Sequence, residues 1–392
     1  MSISTLPLAY CANVHPGRSV DEVVAGLRTY SSVISREVGG DLSVGLWLAR
    51  PVATELLDDE TAAASLRPVI DDAGLSCYTL NAFPFGDFHA ERVKHDVYQP
   101  DWTTPERLQF TKDCARLLAD LMPEGVEGSV STVPLGYSEN EPSPDFMATC
   151  RQQIIETAQF LDELHDETGR VVRLAIEPEP FCVLETTPQA VAFFGELFDS
   201  AGDAEAVVRQ HIGLCYDVCH QAVEFEDITE SIRAVAEAGI RLNKVQLSCA
   251  IRLEDPSNKQ ARDELAAFAE PKYLHQTFGA KSGRVVCRTD DLTSQLCHEP
   301  SPDFAEADEW RIHFHVPVDA QELGCLSTTR AQLNEALLAI DGLEYAPHLE
   351  IETYTWPVMN RAEAPAAEQS IISGIAREVI AVREQLSRQR AD

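Results

Sequence analysis

Hydrophobic and polar positions follow two rhythms along this chain. Short apolar runs bounded by polar or glycine-containing stretches predict strands at Leu8–Val14, Leu42–Leu48, Ser76–Phe83, Gly128–Pro134, Val171–Ile176, Ile212–Asp217, Lys244–Leu247 and His348–Thr353. Amphipathic segments with legible starts lie between them. Ser19 stands three residues before Glu22, the spacing of a capping box. Thr104-Pro105, Ser143-Pro144 and Thr187-Pro188 each put a capping side chain before a proline suited to the first helical position. In Arg151–His165, Ile154, Ala158 and Leu161 share one face, as a core-facing helix requires. A strand–helix unit repeated about eight times predicts a parallel sheet covered by helices, closed as a (β/α)8 TIM barrel. The other arrangement, a Rossmann-like domain beside a second α/β domain, lacks the GxGxxG or GxxxxGKS/T turn that its ligands need.

One stretch breaks the rhythm. About a hundred residues separate Leu247 from His348, more than one helix and its loops require. They contain a helix-like Asn258–Ala269, a run Arg284–Thr289, an acidic Pro302–Glu309 and a strand-like Arg311–Val318. The expectation is a single TIM-barrel domain over residues 1–392. An insertion of about residues 253–326 would sit between the seventh and eighth strands, with Arg284–Val318 as an extra hairpin over the barrel mouth. Ala364–Ser387 reads as a closing surface helix.

Charge narrows the function classes. The chain of 392 residues carries 64 acidic and 31 basic side chains, a formal charge of −33. Nucleic acid and anionic membrane surfaces need a basic field, so neither is an expected partner. No stretch approaches the roughly 18 apolar residues of a membrane span. Met1–Tyr10 lacks the basic start of a secretory signal. The 11 cysteines are scattered without a CxxC pair, which suits buried thiols in a reducing cytoplasm. HExxH, GxSxG and EF-hand signatures are absent.

The candidate chemistry sits at strand ends, where barrel enzymes build their sites. The fifth strand runs into Glu177, the sixth ends at Asp217 with His220 beyond, the seventh carries Gln246, and the eighth reads Glu350-Ile351-Glu352. Any one of these acids could be a solvated loop residue, and Asp217 a helix cap beside a packed histidine. Converging in one mouth, Glu177, Asp217 and Glu352 would repel one another unless a cation joined them. An oxygen-rich site suits Mn²⁺ or Mg²⁺, whereas an added imidazole shifts preference to Zn²⁺ or Co²⁺. Glu350 and Glu352 share strand parity, so either could be the ligand; Glu352 is the more terminal. His313 and His315 share a face of the insertion strand and could bring an imidazole to the mouth. His89 lies on a loop near it, while Asn13 and Asn81 end the first and third strands as candidate hydroxyl-binding residues.

The series Glu177, Asp217-x-x-His220, Gln246-x5-Arg252 and Glu352 resembles the xylose isomerase-like sugar phosphate isomerases and epimerases. The resemblance implies one divalent metal ion held by Glu177, Asp217, the Gln246 position and Glu352, with His220 and Arg252 on the substrate. Gln246 is a departure, because the family carries a metal-binding histidine there. A metal so held would polarise a small sugar-like or carbonyl metabolite, and Glu177 and Glu352 would move the carbon-bound proton. The alternative is a barrel that binds and hands over a metabolite without turnover, which Gln246 favours. Further phrases are similar to EboE-type metabolite-traffic proteins. They include Asn81-x-Phe83-Pro84-Phe85-Gly86, Tyr273-Leu274-His275-Gln276 and His313-Phe314-His315-Val316-Pro317-Val318. That likeness implies work on a secondary-metabolite precursor, beside protein partners from the same metabolite-traffic cluster.

Overall fold

The computed structural model describes residues 5–137, 141–359 and 366–391. Eight parallel strands close on themselves: Ala9–Cys11, Leu42–Trp47, Thr79–Asn81, Gly128–Thr132, Val172–Ile176, Ile212–Asp217, Leu242–Leu247 and His348–Ile351. Closure is made by the first strand, which pairs with the second on one side and with the eighth on the other. Each predicted strand is found, most of them shortened. The third is interrupted, so that Leu75–Ser76 and Thr79–Asn81 pair separately with the second.

The barrel interior holds a polar layer beneath its mouth. Lys244 Nζ lies 2.6 Å from Glu350 Oε2, both side chains fully buried. The room for Glu350 comes from Gly45 on the second strand, where a Cβ would stand 1.5 Å from Glu350 Oε1. Of the two eighth-strand acids, Glu350 is therefore occupied below, and Glu352 is left for the mouth.

Helix starts follow the local chemistry with two differences. Thr104 and Ser143 cap as expected, accepting from the amides of Arg107 and Phe146. The third cap falls one residue earlier than expected, at Thr186, which forms a reciprocal capping box with Gln189. Ser19 accepts from the Glu22 amide, but the Glu22 carboxylate turns instead to the Arg18 amide and guanidinium, leaving half a capping box. The last helix, Ala366–Ala391, buries Ile375, Val379 and Val382 against the barrel. Its expected start at Ala364 lies outside the described residues. No described helix is long and apolar enough to cross a membrane.

The insertion is larger than a hairpin. It is a six-stranded antiparallel sheet in the order Arg284–Thr289, Thr277–Lys281, Glu309–Val316, Cys249–Leu253, Leu326–Thr328, Glu322–Leu323. Only Ser248 separates the seventh barrel strand from Cys249–Leu253. The second sheet thus grows directly from the C-terminal end of the barrel, where the mouth lies. Pairing between Glu309–Val316 and Cys249–Leu253 loses register between Ile312 and Val316. Such irregularities re-aim side chains, and this one spans His313 and His315. Phe314 points the other way, onto the rings of Phe268 and His275.

Candidate metal centre

Three strand ends deliver the acids. The Glu177 amide donates to the Thr132 carbonyl at 3.0 Å, and the Glu352 amide to the Leu247 carbonyl at 3.1 Å. These bonds extend the barrel ladder by one residue, and they hold each acid at the rim. Asp217 ends the sixth strand and caps the next helix, its Oδ1 accepting from the His220 amide at 3.1 Å and from Ser248 Oγ at 2.7 Å. Capping uses one oxygen and leaves the other, so the cap and ligand readings of Asp217 are compatible. One carboxylate oxygen from each of Glu177, Asp217 and Glu352 lies within 4.8 Å of the others.

The surroundings orient these oxygens without neutralising them. Glu352 Oε1 accepts from Asn13 Nδ2 at 2.7 Å and Asn81 Nδ2 at 3.0 Å. Asn81 is itself held because its Oδ1 accepts from the Phe83 amide at 3.0 Å. Glu177 Oε2, Asp217 Oδ2 and both amide atoms of Gln246 are buried with no hydrogen-bond partner among the described residues. Buried polar atoms are normally paired, so this cluster is chemically incomplete in a way a cation would complete. Burial pushes the Glu177 carboxyl well above the usual range, and the charges of Glu352 and Asp217 push the same way. Glu352 is raised well above its usual range too, by burial first and then by Asp217 and Glu350, against the pull of Lys244. The donor set of three carboxylates with an amide alongside fits a hard divalent ion.

The cavity above this cluster has about 60 Å³ open to the centre of a water-sized molecule. Asn81, Glu177, His220, His313, His315 and Glu352 all line it. Gln246 lies beneath, outside that lining. His89 stands behind it, its Nε2 2.8 Å from the Asn13 carbonyl. Arg252, expected on the substrate, is carried away from the mouth. It lies on Cys249–Leu253 with its side chain 35% exposed, paired with Glu254 at 3.0 Å and with Glu309. The chain leaves the barrel at Ser248, so a residue six positions past Gln246 follows the outer sheet.

Sequence reasoning missed a second wall. Glu179, buried and two residues past Glu177, accepts from Tyr98 at 2.6 Å and from Gln276 Nε2 at 3.2 Å. The shared parity of Glu177 and Glu179 was a usable signal, whereas nothing local marks Tyr98. Tyr273 and Tyr354 add aromatic faces to the cavity, with ring centres 5.0 Å apart.

A family model described as a xylose isomerase-like TIM barrel matches residues 44–267. The chain belongs to the xylose isomerase-like TIM-barrel family. The matched segment contains Glu177, Asp217, His220 and Gln246, whereas His313, His315 and Glu352 lie beyond it. Solved members of this architecture superpose on nearly the whole chain at low identity. A D-allulose 3-epimerase from Methylomonas sp. is 13% identical with a TM-score of 0.52, covering 98% of this chain and 100% of its own. An L-ribulose 3-epimerase is 14% identical with a TM-score of 0.51, covering 99% and 96%. A xylose isomerase-like TIM barrel protein from Mycobacterium smegmatis in complex with magnesium is 13% identical with a TM-score of 0.50, covering 97% and 99%. These likenesses show a common fold. No curated protein matches the sequence.

Proposed function

We propose that this xylose isomerase-like barrel is a divalent-metal-dependent isomerase or epimerase acting on a small polyhydroxylated carbonyl compound. One observation carries the reading: three buried carboxylates converge, Glu177 and Asp217 each with an oxygen unpartnered among the described residues, beneath a cavity lined by amides, imidazoles and tyrosines. Glu177, Asp217 and Glu352 would hold the ion, with the Gln246 amide oxygen as a weaker fourth donor. When bound, the ion would polarise the substrate oxygens and stabilise negative charge developing between them. Glu177 and Glu352 face each other across the cluster, so one removes the proton on carbon and the other returns it. Asn13 and Asn81 keep Glu352 in position for that exchange, and His220 faces the substrate hydroxyls. Tyr98 and Gln276 hold Glu179 against the far wall. Arg252 has no part in this scheme.

The likeness of the His313–Val318 and Tyr273–Gln276 phrases to metabolite-traffic proteins supports a secondary-metabolite precursor as the cargo or substrate, handled in the cytoplasm with partners from the same cluster. The test is solvent exchange. Metal-supplemented protein is incubated in deuterated water with a panel of ketoses and their phosphates, and deuterium entry at carbon is followed by NMR. Exchange that disappears in Glu177→Gln and Glu352→Gln is the expected result. Saturable binding with no exchange on any of them would replace the enzyme with the carrier.

A further inference from the structure

The cavity over the carboxylates has two unlike sides. Amides, imidazoles and acids make one of them. The other is built from Phe83, Pro84, Phe88, Val93, Val97 and Leu274, whose side chains offer neither donor nor acceptor. All of these but Leu274 lie between the third barrel strand and the helix Pro105–Leu121. That segment is fastened to the insertion, because the Val93 and Lys94 amides donate to the Lys272 carbonyl at 2.8 and 3.0 Å. Aromatic rings close the corner. The ring centre of Phe88 stands 5.0 Å from that of Tyr273 and 5.3 Å from that of Tyr354. Two tyrosine hydroxyls on the lining are already engaged, Tyr273 donating to the Phe88 carbonyl at 3.4 Å and Tyr98 to Glu179 at 2.6 Å.

Free positive charge is missing as well. Lys94 is the one lysine or arginine that lines the cavity. An ammonium has three N–H bonds to give. Those of Lys94 have three acceptors: Asp291 Oδ2 at 2.7 Å, the Tyr273 carbonyl at 2.6 Å and the Glu270 carbonyl at 3.1 Å. Proteins take phosphate groups with arginine, lysine or a helix N-terminus. A phosphate entering this cavity would instead face Glu177, Glu179 and Glu352 with the lysine saturated. Hydroxyls fare poorly against the apolar side too, since each one buried there gives up its bonds to water without replacement. A ring or hydrocarbon gains from the same surface. The empty space, counted out to its open side, is about 520 Å³. That is the range of sites that bury drug-sized ligands.

We infer that the ligand is an uncharged hydroxyketone whose carbonyl and hydroxyl groups are gathered at one end and whose other end is an apolar ring or hydrocarbon. The oxygen-bearing end reaches the carboxylates and their ion. The apolar end packs on Phe88, Tyr273 and Tyr354. A sugar hydroxylated along its whole length, or a sugar phosphate, fits the same cavity poorly. The inference narrows the substrate class of the proposed isomerase and rests on that reading only for the oxygen-bearing end.

The test compares four hydroxyketones by isothermal titration into the full chain loaded with Mn²⁺. Hydroxyacetone is the oxygen-bearing end alone. Hydroxyacetone extended at its methyl group by a benzyl group adds an apolar tail, erythrulose a hydroxylated one and dihydroxyacetone phosphate a charged one. The benzyl compound is expected to bind about tenfold or more tightly than erythrulose, with the phosphate weakest of the four. Tyr273→Ala should cut that preference severalfold and leave hydroxyacetone binding unchanged. Val97→Thr keeps the shape and adds a hydroxyl, so it should move the preference toward erythrulose. If Tyr273→Ala misfolds, as judged by circular dichroism, the wild-type ranking and Val97→Thr still decide. Deuterium entry from deuterated water is read on the same samples. Preferential binding of the benzyl compound without exchange would remove the isomerase and leave the ligand class standing. Exchange on erythrulose with no preference for the benzyl compound would keep the isomerase and overturn the ligand class. Tighter binding of erythrulose or of the phosphate, or a preference untouched by both folded variants, would overturn it as well.

Discussion

At the scale of single residues, the decisive feature is what each acid and amide lacks. Glu352 is held at one oxygen by two asparagines and Asp217 at one oxygen by a helix amide and Ser248, while Asp217 Oδ2 and Glu177 Oε2 have no partner among the described residues. Gln246 is the most exposed to test, because it is fully buried yet neither amide atom has a described partner. Its strand neighbours are Asp217 on one side and Glu350 on the other, which puts it in the layer just under the carboxylates. Gln246→His places a better donor for Zn²⁺ or Co²⁺ in that layer at similar volume. Affinity for either ion at the carboxylate site should rise by about tenfold or more, with a smaller gain for Mg²⁺, read by isothermal titration. Equal affinities in both proteins would place Gln246 beyond the ion's reach.

At the scale of elements, the sheet inserted after the seventh strand has to be fastened to the barrel, and one buried carboxylate does part of that. Glu378, on Ala366–Ala391, accepts from the Val318 amide at 2.9 Å, Thr353 Oγ1 at 2.7 Å and Trp356 Nε1 at 2.9 Å. It joins the segment just after the longest strand of the insertion sheet, the segment after the eighth barrel strand and the last helix. Burial raises its carboxyl to about 7, against the pull of those three donors. The folded state therefore binds a proton more tightly than the unfolded chain between about pH 4.5 and 7, and stability falls as pH rises through that window. The full effect is on the order of 3 kcal/mol. Glu378→Gln keeps the shape and removes the titration, so its urea midpoint should change less than that of the wild type between pH 5 and pH 8. Parallel pH profiles would assign the slope to other groups. The eight barrel strands were legible because each is a short apolar run with a polar stop. Of the insertion sheet only Arg284–Thr289 and the strand-like Arg311–Val318 were legible, since Thr277–Lys281 and Leu326–Thr328 are brief and each is held in the sheet partly by a strand beyond its own hairpin, Glu309–Val316 and Cys249–Leu253 respectively. Arg252 failed for the same reason: spacing along the chain carries no information once the chain leaves the barrel for a second sheet. Glu177, Asp217 and Glu352 could be found because strand ends in a barrel all point to one place.

At the scale of the molecule, the carboxylates of the centre are a small part of a large excess. With 64 acidic and 31 basic side chains, the formal charge is −33, so the surface field favours cations and opposes the folded state through self-repulsion. Many of the cations are already committed locally, as in Arg18 to Glu22, Arg209 to Glu205 and Arg388 to Glu384. Exposed pairs of this kind stabilise little, typically under about 1 kcal/mol. The remaining acids repel one another over distances comparable to the Debye length, about 10 Å at 0.1 M salt and about 3 Å at 1 M. Raising NaCl from 0.05 to 1 M should therefore raise the melting temperature by several degrees, since about 1 kcal/mol corresponds to roughly 2–4 °C in a domain of 150–250 residues. The measurement is made with chelator present, so that metal binding does not contribute. Sucrose at matched osmolality is the control for a general solute effect. Salt would stabilise by screening the acids, sucrose only by exclusion from the surface, so a rise with salt well beyond that with sucrose identifies repulsion. A melting temperature flat or falling with NaCl would mean that local pairs outweigh the net charge, and that the excess of acids is already compensated within the fold.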